Sequence, residues 1–246
     1  MVAPVNATAA ALVDAARTLA AAVDRMRFEA PVALTYNPLV YARAPHEQLI
    51  TRYVDGPRAL LLVGMNPGPF GMAQTGVPFG EVSLVRRYLG IEAPVGKPPR
   101  EHPKRPILGF SCTKSEVSGA RLWGAIAERF PDARDFFVAR FIANYCPLVF
   151  MDEGGKNLTP DKLKKGERAA LEGACDAHLD ALVRALEPTV VLGVGAWAAR
   201  CCARVVGARA RVGSLPHPSP ASPAANAGWA ALARRALDEQ GVERFL

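Results

Sequence analysis

Three polar side chains each follow an apolar run, and their types suit recognition of a flat ligand by hydrogen bonds. Asn66 comes just after Ala59-Leu60-Leu61-Leu62-Val63, Asn144 after Phe141-Ile142-Ala143, and His217 after Val212-Gly213-Ser214-Leu215. A side-chain amide presents a donor and an acceptor side by side, and an imidazole can donate to negative charge as it develops. His217 sits within Pro216-His217-Pro218-Ser219-Pro220, where the prolines fix φ and stiffen the chain. A stiff loop after a strand holds a side chain rigidly in a cleft, whereas an isolated asparagine or histidine more often makes a turn or fills a core.

Other chemistries fail on spacing. Gly193-Val194-Gly195-Ala196-Trp197-Ala198 fits a dinucleotide fingerprint, but no Asp or Glu occurs from Pro188 to Leu237 to take a ribose hydroxyl. Its glycines therefore read as a tight turn with close helix packing. The five cysteines, Cys112, Cys146, Cys175, Cys201 and Cys202, include no CxxC pair and no histidine at zinc spacing. They read as buried thiols in a reducing compartment, not as a disulfide framework, a metal site or an iron–sulfur cluster.

Positioning three such groups together requires a framework, and the apolar runs supply one. Short runs buried on both faces alternate with helical patterns over Ser83 to Leu89, Ala120 to Arg129, Glu167 to Leu186, Ala196 to Val206 and about Asn226 to Glu239. Alternation of this kind predicts an α/β fold with a mostly parallel central sheet between helices, and ligands then bind beyond the carboxyl ends of the strands. Thr159-Pro160 signals the start of a short helix. Ala7 to Val23 predicts an amphipathic N-terminal helix within residues 1–29, preceding a single globular unit over residues 30–246. Charges and prolines keep this helix, and the uncharged stretch from Val212, from spanning a membrane.

With 246 residues, half of them hydrophobic, the chain can bury a substantial core. Its formal charge of +7 favours a polyanionic partner, with nucleic acid foremost. The acid-free stretch carries Arg200, Arg204, Arg209, Arg211, Arg234 and Arg235, a footprint suited to phosphate contact. The segment Ile91 to Ser118, with five prolines and Lys97, Arg100, Lys104 and Arg105, reads as a stiff basic surface loop.

At these residues a family resemblance becomes specific. The block Gly64-Met65-Asn66-Pro67-Gly68-Pro69-Phe70-Gly71-Met72-Ala73-Gln74-Thr75-Gly76-Val77-Pro78-Phe79-Gly80-Glu81 closely resembles the first motif of the single-strand-selective monofunctional uracil-DNA glycosylases, and His217-Pro218-Ser219-Pro220 resembles their second. Tyr36-Asn37-Pro38, His102 to Pro106, Ser115 to Gly119, Asn157 to Pro160 and Asn226 with Gly228-Trp229 also match, so the resemblance spans about residues 30 to 240.

The resemblance implies the uracil-DNA glycosylase fold and removal of uracil, and of some C5-oxidised uracils, from single- and double-stranded DNA. It assigns Asn66 to the attacking water and His217 to the departing base. Met65, Gly68, Met72, Phe79 and Asn144 would hold the base, Phe79 by stacking and Asn144 by reading its edge. Lys104, Arg105, Ser118, Lys156, Ser219, Ala221, Ser222 and Asn226 would meet DNA. The leaving group is an anion, so no metal or organic cofactor is expected. The expected protein is a monomer without a membrane partner, located in the cytoplasm with the nucleoid or in a nucleus. Two alternatives stay open: a same-fold glycosylase preferring xanthine or hydroxymethyluracil, and a non-catalytic single-strand binding module. In the familiar animal members the loop after the second motif carries an arginine and an asparagine where this chain has Ala221 and Ser222.

Overall fold

The computed structural model describes residues 6–242. Its strands are β1 (Leu34–Tyr36), β2 (Leu60–Gly64), β3 (Arg140–Asn144), β4 (Val149–Met151), β5 (Asn157–Leu158), β6 (Val190–Val194) and β7 (Arg211–Leu215). Its helices are α1 (Ala7–Asp24), α2 (Pro38–Tyr41), α3 (Arg43–Tyr53), α4 (Met72–Thr75), α5 (Val82–Arg87), α6 (Val117–Arg129), α7 (Ala133–Phe137), α8 (Lys165–Leu186), α9 (Ala196–Val206), α10 (Pro223–Asn226) and α11 (Trp229–Glu239).

The apolar runs before Asn66, Asn144 and His217 form, together with β6, the expected parallel sheet, in the order β3-β2-β6-β7. Every residue of β2, β3 and β6 is buried, as continuous apolar runs require when both sheet faces are covered. Edge strand β7 exposes Arg211 and Ser214. Helices α6 and α11 meet over Leu62 and Leu215, around a cavity of about 90 Å³ also lined by Ile126, Trp229 and Leu237. Helix α1 is capped by Asn6, whose side chain accepts the Ala9 N–H. It packs along α8 and α3, and its Leu12, Leu19 and Val23 share one core with β2.

Several elements depart from the sequence reading. Strands β1, β4 and β5 form a second, antiparallel sheet that runs too short to show a period. The expected C-terminal helix is broken between α10 and α11 at Gly228, whose φ of 140° suits glycine. After Thr159 the chain makes only a 3₁₀ turn, Pro160–Lys162, and the Thr159 hydroxyl donates to Asp161 instead of capping it. The proline-rich segment is no free excursion: Ile91, His102 and Ile107 are buried, and Lys97 is bound to Glu101 and the Ile107 carbonyl. Gln74 ties this segment to α4, donating to the Pro106 carbonyl at 3.1 Å and accepting the Leu108 N–H at 2.8 Å.

All five cysteines are free and buried. Among the described residues no group of His, Cys, Asp and Glu could hold a metal ion, and no helix is long and apolar enough to cross a membrane.

Helix α8 also buries His178, whose Nδ1 has no hydrogen-bond partner, beside a void of about 20 Å³ shared with His46, Met72 and Asn144. Burial pushes the His178 imidazole down to about 3 and lowers His46 as well. The unfolded chain therefore takes up protons first, below the ordinary histidine value near 6.5. Stability is complete above that value and declines as pH falls toward the folded value. We expect the unfolding free energy from urea titrations to fall below about pH 6.5, with His178 contributing up to about 1.4 kcal/mol per pH unit. His178→Leu should flatten that slope. An unchanged slope would mean that His178 is protonated in the native state.

Candidate active site

Strand register sets the site. Gly64 lies opposite Asn144, and pairing continues past the strand ends, with the Tyr145 N–H donating to the Gly64 carbonyl and the Cys146 N–H to the Met65 carbonyl. The segments carrying Asn66 and Asn144 thus leave the sheet side by side. A Cβ at position 64 would lie 2.2 Å from Asn144 Oδ1 and 2.6 Å from the Phe79 ring. Only glycine lets that amide and that ring meet there. Asn144 Nδ2 faces Met72 Sδ at 3.2 Å, and Asn66 Nδ2 donates to the Leu148 carbonyl at 3.3 Å. With its amino group so engaged, Asn66 keeps its carbonyl oxygen for another donor.

Phe79 adopts φ = 53°, the left-handed region that bulky residues avoid. Neighbours on every side impose it. Thr75 Oγ1 donates to the Gly80 carbonyl, and Trp123 Nε1 to the Pro78 carbonyl, each at 3.1 Å. Helix α6 comes so close at Gly119 that a Cβ there would sit 2.1 Å from the Phe79 carbonyl oxygen. Held in this way, the Phe79 ring lies 6.3 Å from the His217 ring.

His217 Nδ1 accepts the Ser219 N–H at 3.0 Å. A nitrogen that accepts carries no proton, so the neutral ring bears its hydrogen on Nε2. Burial lowers the pKa of the imidazole and keeps it neutral. The glycine-rich segment acquires its function here. Gly195, at φ = 91°, would place a Cβ 3.3 Å from His217 Cβ, and Gly193 would place one 2.2 Å from the Ala199 nitrogen in α9. One glycine seats the histidine and the other seats the helix. A cavity of about 390 Å³ between Asp24, Phe28, Asn37 and Arg100 lies elsewhere and meets this site only through Leu148.

The residues expected to meet DNA fall into three groups. Lys104 and Arg105 occupy a turn fixed by His102, whose Nδ1 accepts the Lys104 N–H and whose Nε2 donates to the Glu153 carbonyl. Lys156 follows Gly155, which packs against the same imidazole. Ser118 lies in the first turn of α6. Ser219, Ala221 and Ser222 form the turn before α10, where Ser219 Oγ accepts the Ala221 N–H and Ser222 caps the helix. Asn226 has its side chain already engaged, donating to Pro220 and accepting from Arg121 at 2.8 Å.

The acid-free stretch is not acid-free in space. Arg204 pairs with Asp176, and Arg209 with Asp180, both on α8, so these two arginines brace the fold. Sequence reasoning assigned no role to Arg121, which holds the His217 loop through the Pro218 carbonyl, or to Glu116, which it met only within the Ser115 to Gly119 match. The Glu116 carboxylate fills the space that a Cβ at Gly68 would take, 2.2 Å from Oε2. Burial raises its carboxyl above the usual range, against the backbone N–H groups of Phe70 and Ser118, which favour the ion.

Gly64→Ala tests this arrangement. The new methyl must displace Asn144 or Phe79, so whatever activity the site carries should drop by about two orders of magnitude or more, while circular dichroism still reports a folded α/β protein. Activity near wild type would show that the two side chains need not meet at Gly64.

The uracil DNA glycosylase superfamily model matches residues 52–237. The chain is 48% identical over 221 residues to the single-strand selective monofunctional uracil DNA glycosylase of Bos taurus, covering 89% of this chain and 81% of that protein. It is 48% identical over 227 residues to the protein of that name from Mus musculus, covering 91% and 81%. The crystal structure of wild-type Pedobacter heparinus SMUG2 superposes with a TM-score of 0.65 at 16% identity, over 94% of this chain and 98% of that one. This last likeness is one of fold. By family model and by these relatives, the chain belongs to the uracil DNA glycosylase superfamily and, within it, to the single-strand selective monofunctional uracil DNA glycosylases.

Proposed function

We propose that this protein hydrolyses the N-glycosidic bond of uracil in DNA, as a monofunctional enzyme that acts as a monomer. The observation that carries the reading is the His217 tautomer, with Nδ1 occupied by Ser219 and the Nε2 hydrogen left to donate. As the bond to the sugar breaks, negative charge grows on the base, and a preorganised donor stabilises it without having to give up a proton. Asn66 Oδ1 orients the water that attacks the anomeric carbon. Phe79 stacks on the extruded base, and Asn144 accepts from its N3–H and donates to its O4. Cytosine presents the reverse pattern and would leave a buried amide unpaired.

The thioether beside Asn144 Nδ2 is a weak acceptor, so uracil O4 takes over a donor that the protein's own atoms satisfy poorly. Met65 and Met72 are adaptable walls, and Gly68 offers only backbone, which suits C5-oxidised uracils. No lysine lies in either motif to form a Schiff base, which supports hydrolysis without strand cleavage. Lys104, Arg105, Ser118, Lys156, Ser219, Ala221 and Ser222 take the DNA strand around the pocket. A preference for xanthine or hydroxymethyluracil is the competing base choice, and competition between substrates separates them. A non-catalytic binding module would have no use for the pinned His217 tautomer.

Asn66→Ala should lower kcat by about two orders of magnitude or more, with little change in DNA affinity, because a water-orienting group acts in the transition state. Equal losses in affinity and rate would make Asn66 a binding residue. A second expectation concerns strand context. Opening a duplex costs a few kcal/mol, and a side chain that fills the vacated stack offsets part of it. Exposed Ala221 and half-buried Ser222 have little reach. Excision should therefore rank single-stranded uracil and U·G above U·A, and Ala221→Arg should raise duplex activity relative to single-strand activity. An unchanged ratio would place the wedge in another element.

A further inference from the structure

We propose that Phe70, Arg105 and Lys114 form a preassembled clamp for backbone phosphates of the DNA strand entering the pocket, resting on the reading of DNA as substrate. Phe70 belongs to the loop between Asn66 and α4, and its ring carries two cations. The Arg105 guanidinium carbon lies 5.2 Å from the ring centroid and Lys114 Nζ lies 5.0 Å from it. Both distances are within the range where the negative face of an aromatic ring attracts a cation.

Two like charges gathered on one ring call for a counter-charge, and an ordinary surface would supply a carboxylate. Among the described residues neither Arg105 nor Lys114 has an acidic partner within ion-pair distance. Glu116, two residues from Lys114, faces the backbone N–H groups of Phe70 and Ser118. Glu101 is taken by Lys97. Arg105 Nε is buried without a hydrogen-bond acceptor, and Nη1 of the same guanidinium reaches the Lys104 carbonyl at 3.1 Å, a neutral partner that leaves the charge uncompensated.

The backbone beneath is fixed as well. The Arg105 N–H donates to the His102 carbonyl, and its own carbonyl accepts the Tyr36 hydroxyl at 2.8 Å. A pair of cations without carboxylate partners, gathered on a ring four residues along the chain from Asn66, calls for an anion. A strand that delivers its base to the pocket carries a phosphate on either side of that base. Phe70 thus acts as a positioning residue: it brings no charge, but it holds two charges where the phosphates pass.

The test is a double-mutant cycle on binding of a single-stranded oligonucleotide with a non-hydrolysable deoxyuridine analogue, followed by fluorescence anisotropy across a salt series. Lys114→Ala should reduce the log–log salt slope by about 0.7, the value for one phosphate on a single strand. Phe70→Leu leaves the charge unchanged and should weaken binding about two- to fivefold. Its effect should shrink toward nothing in the Lys114→Ala, Arg105→Ala background, because there is nothing left to position. Phe70→Trp should bind at least as tightly as wild type, which separates loss of the ring face from loss of fold. An unchanged slope for Lys114→Ala, or a Phe70→Leu effect undiminished without the cations, would overturn the clamp. The wild-type protein alone tests the underlying reading: failure to release uracil from the cleavable oligonucleotide would sink it, whatever the cycle shows.

Discussion

The end of β2 has no room for a Cβ, and the pocket is built around that exclusion. Gly64 is in register with Asn144, and it touches both the Asn144 amide and the Phe79 ring. Sheet pairing fixes the amide to within the tolerance of a hydrogen-bond ladder, and the ring closes against it. Parallel strands end level with one another, so β6 and β7 deliver Gly195 and His217 to the same edge. The Asn144 and His217 sides of the site are therefore spaced by backbone geometry, which side-chain rotamers cannot relax. Preorganisation of this kind is what electrostatic stabilisation of developing charge requires.

The distribution of charge follows a division of labour that the +7 total conceals. Arg204 and Arg209 are committed to α8, where Asp176 also engages the Tyr145 hydroxyl, and they brace the sheet from behind. Arg121 spends its donors on the His217 loop. The cations without carboxylate partners are a subset, and a partner polyanion senses this subset more than the net charge.

The sheet was legible because its strands are continuous apolar runs ended by glycine or proline, and that pattern survives without knowledge of the tertiary fold. Asn66, Asn144 and His217 could be singled out because they follow such runs. β1, β4 and β5 left no signal, since two or three residues cannot display a period, and the broken C-terminal helix turned on the conformation of Gly228 alone. Pairing across the chain was the larger blind spot. Nothing local to residues 200–211 tells that Asp176 and Asp180 will face those arginines, and nothing local to Glu116 tells that it will lie against Gly68. The glycines of 193–195 matched a cofactor pattern because close approach of backbone is what both uses demand. In this chain the visitor is an imidazole and a helix.

Phe79 shows what this architecture asks of the chain as a whole. Its left-handed backbone would be relaxed by glycine, at the sacrifice of the ring. Thr75, Trp123 and Gly119 hold that conformation in place, so a stretch of ordinary core packing serves to keep one residue where it would not settle by itself. Stability and competence therefore pull in opposite directions at this position. A library of variants sorted for thermal resistance alone would enrich for changes that quietly unload the spring, and the hardiest molecules it yielded would have lost the ring beside Asn144.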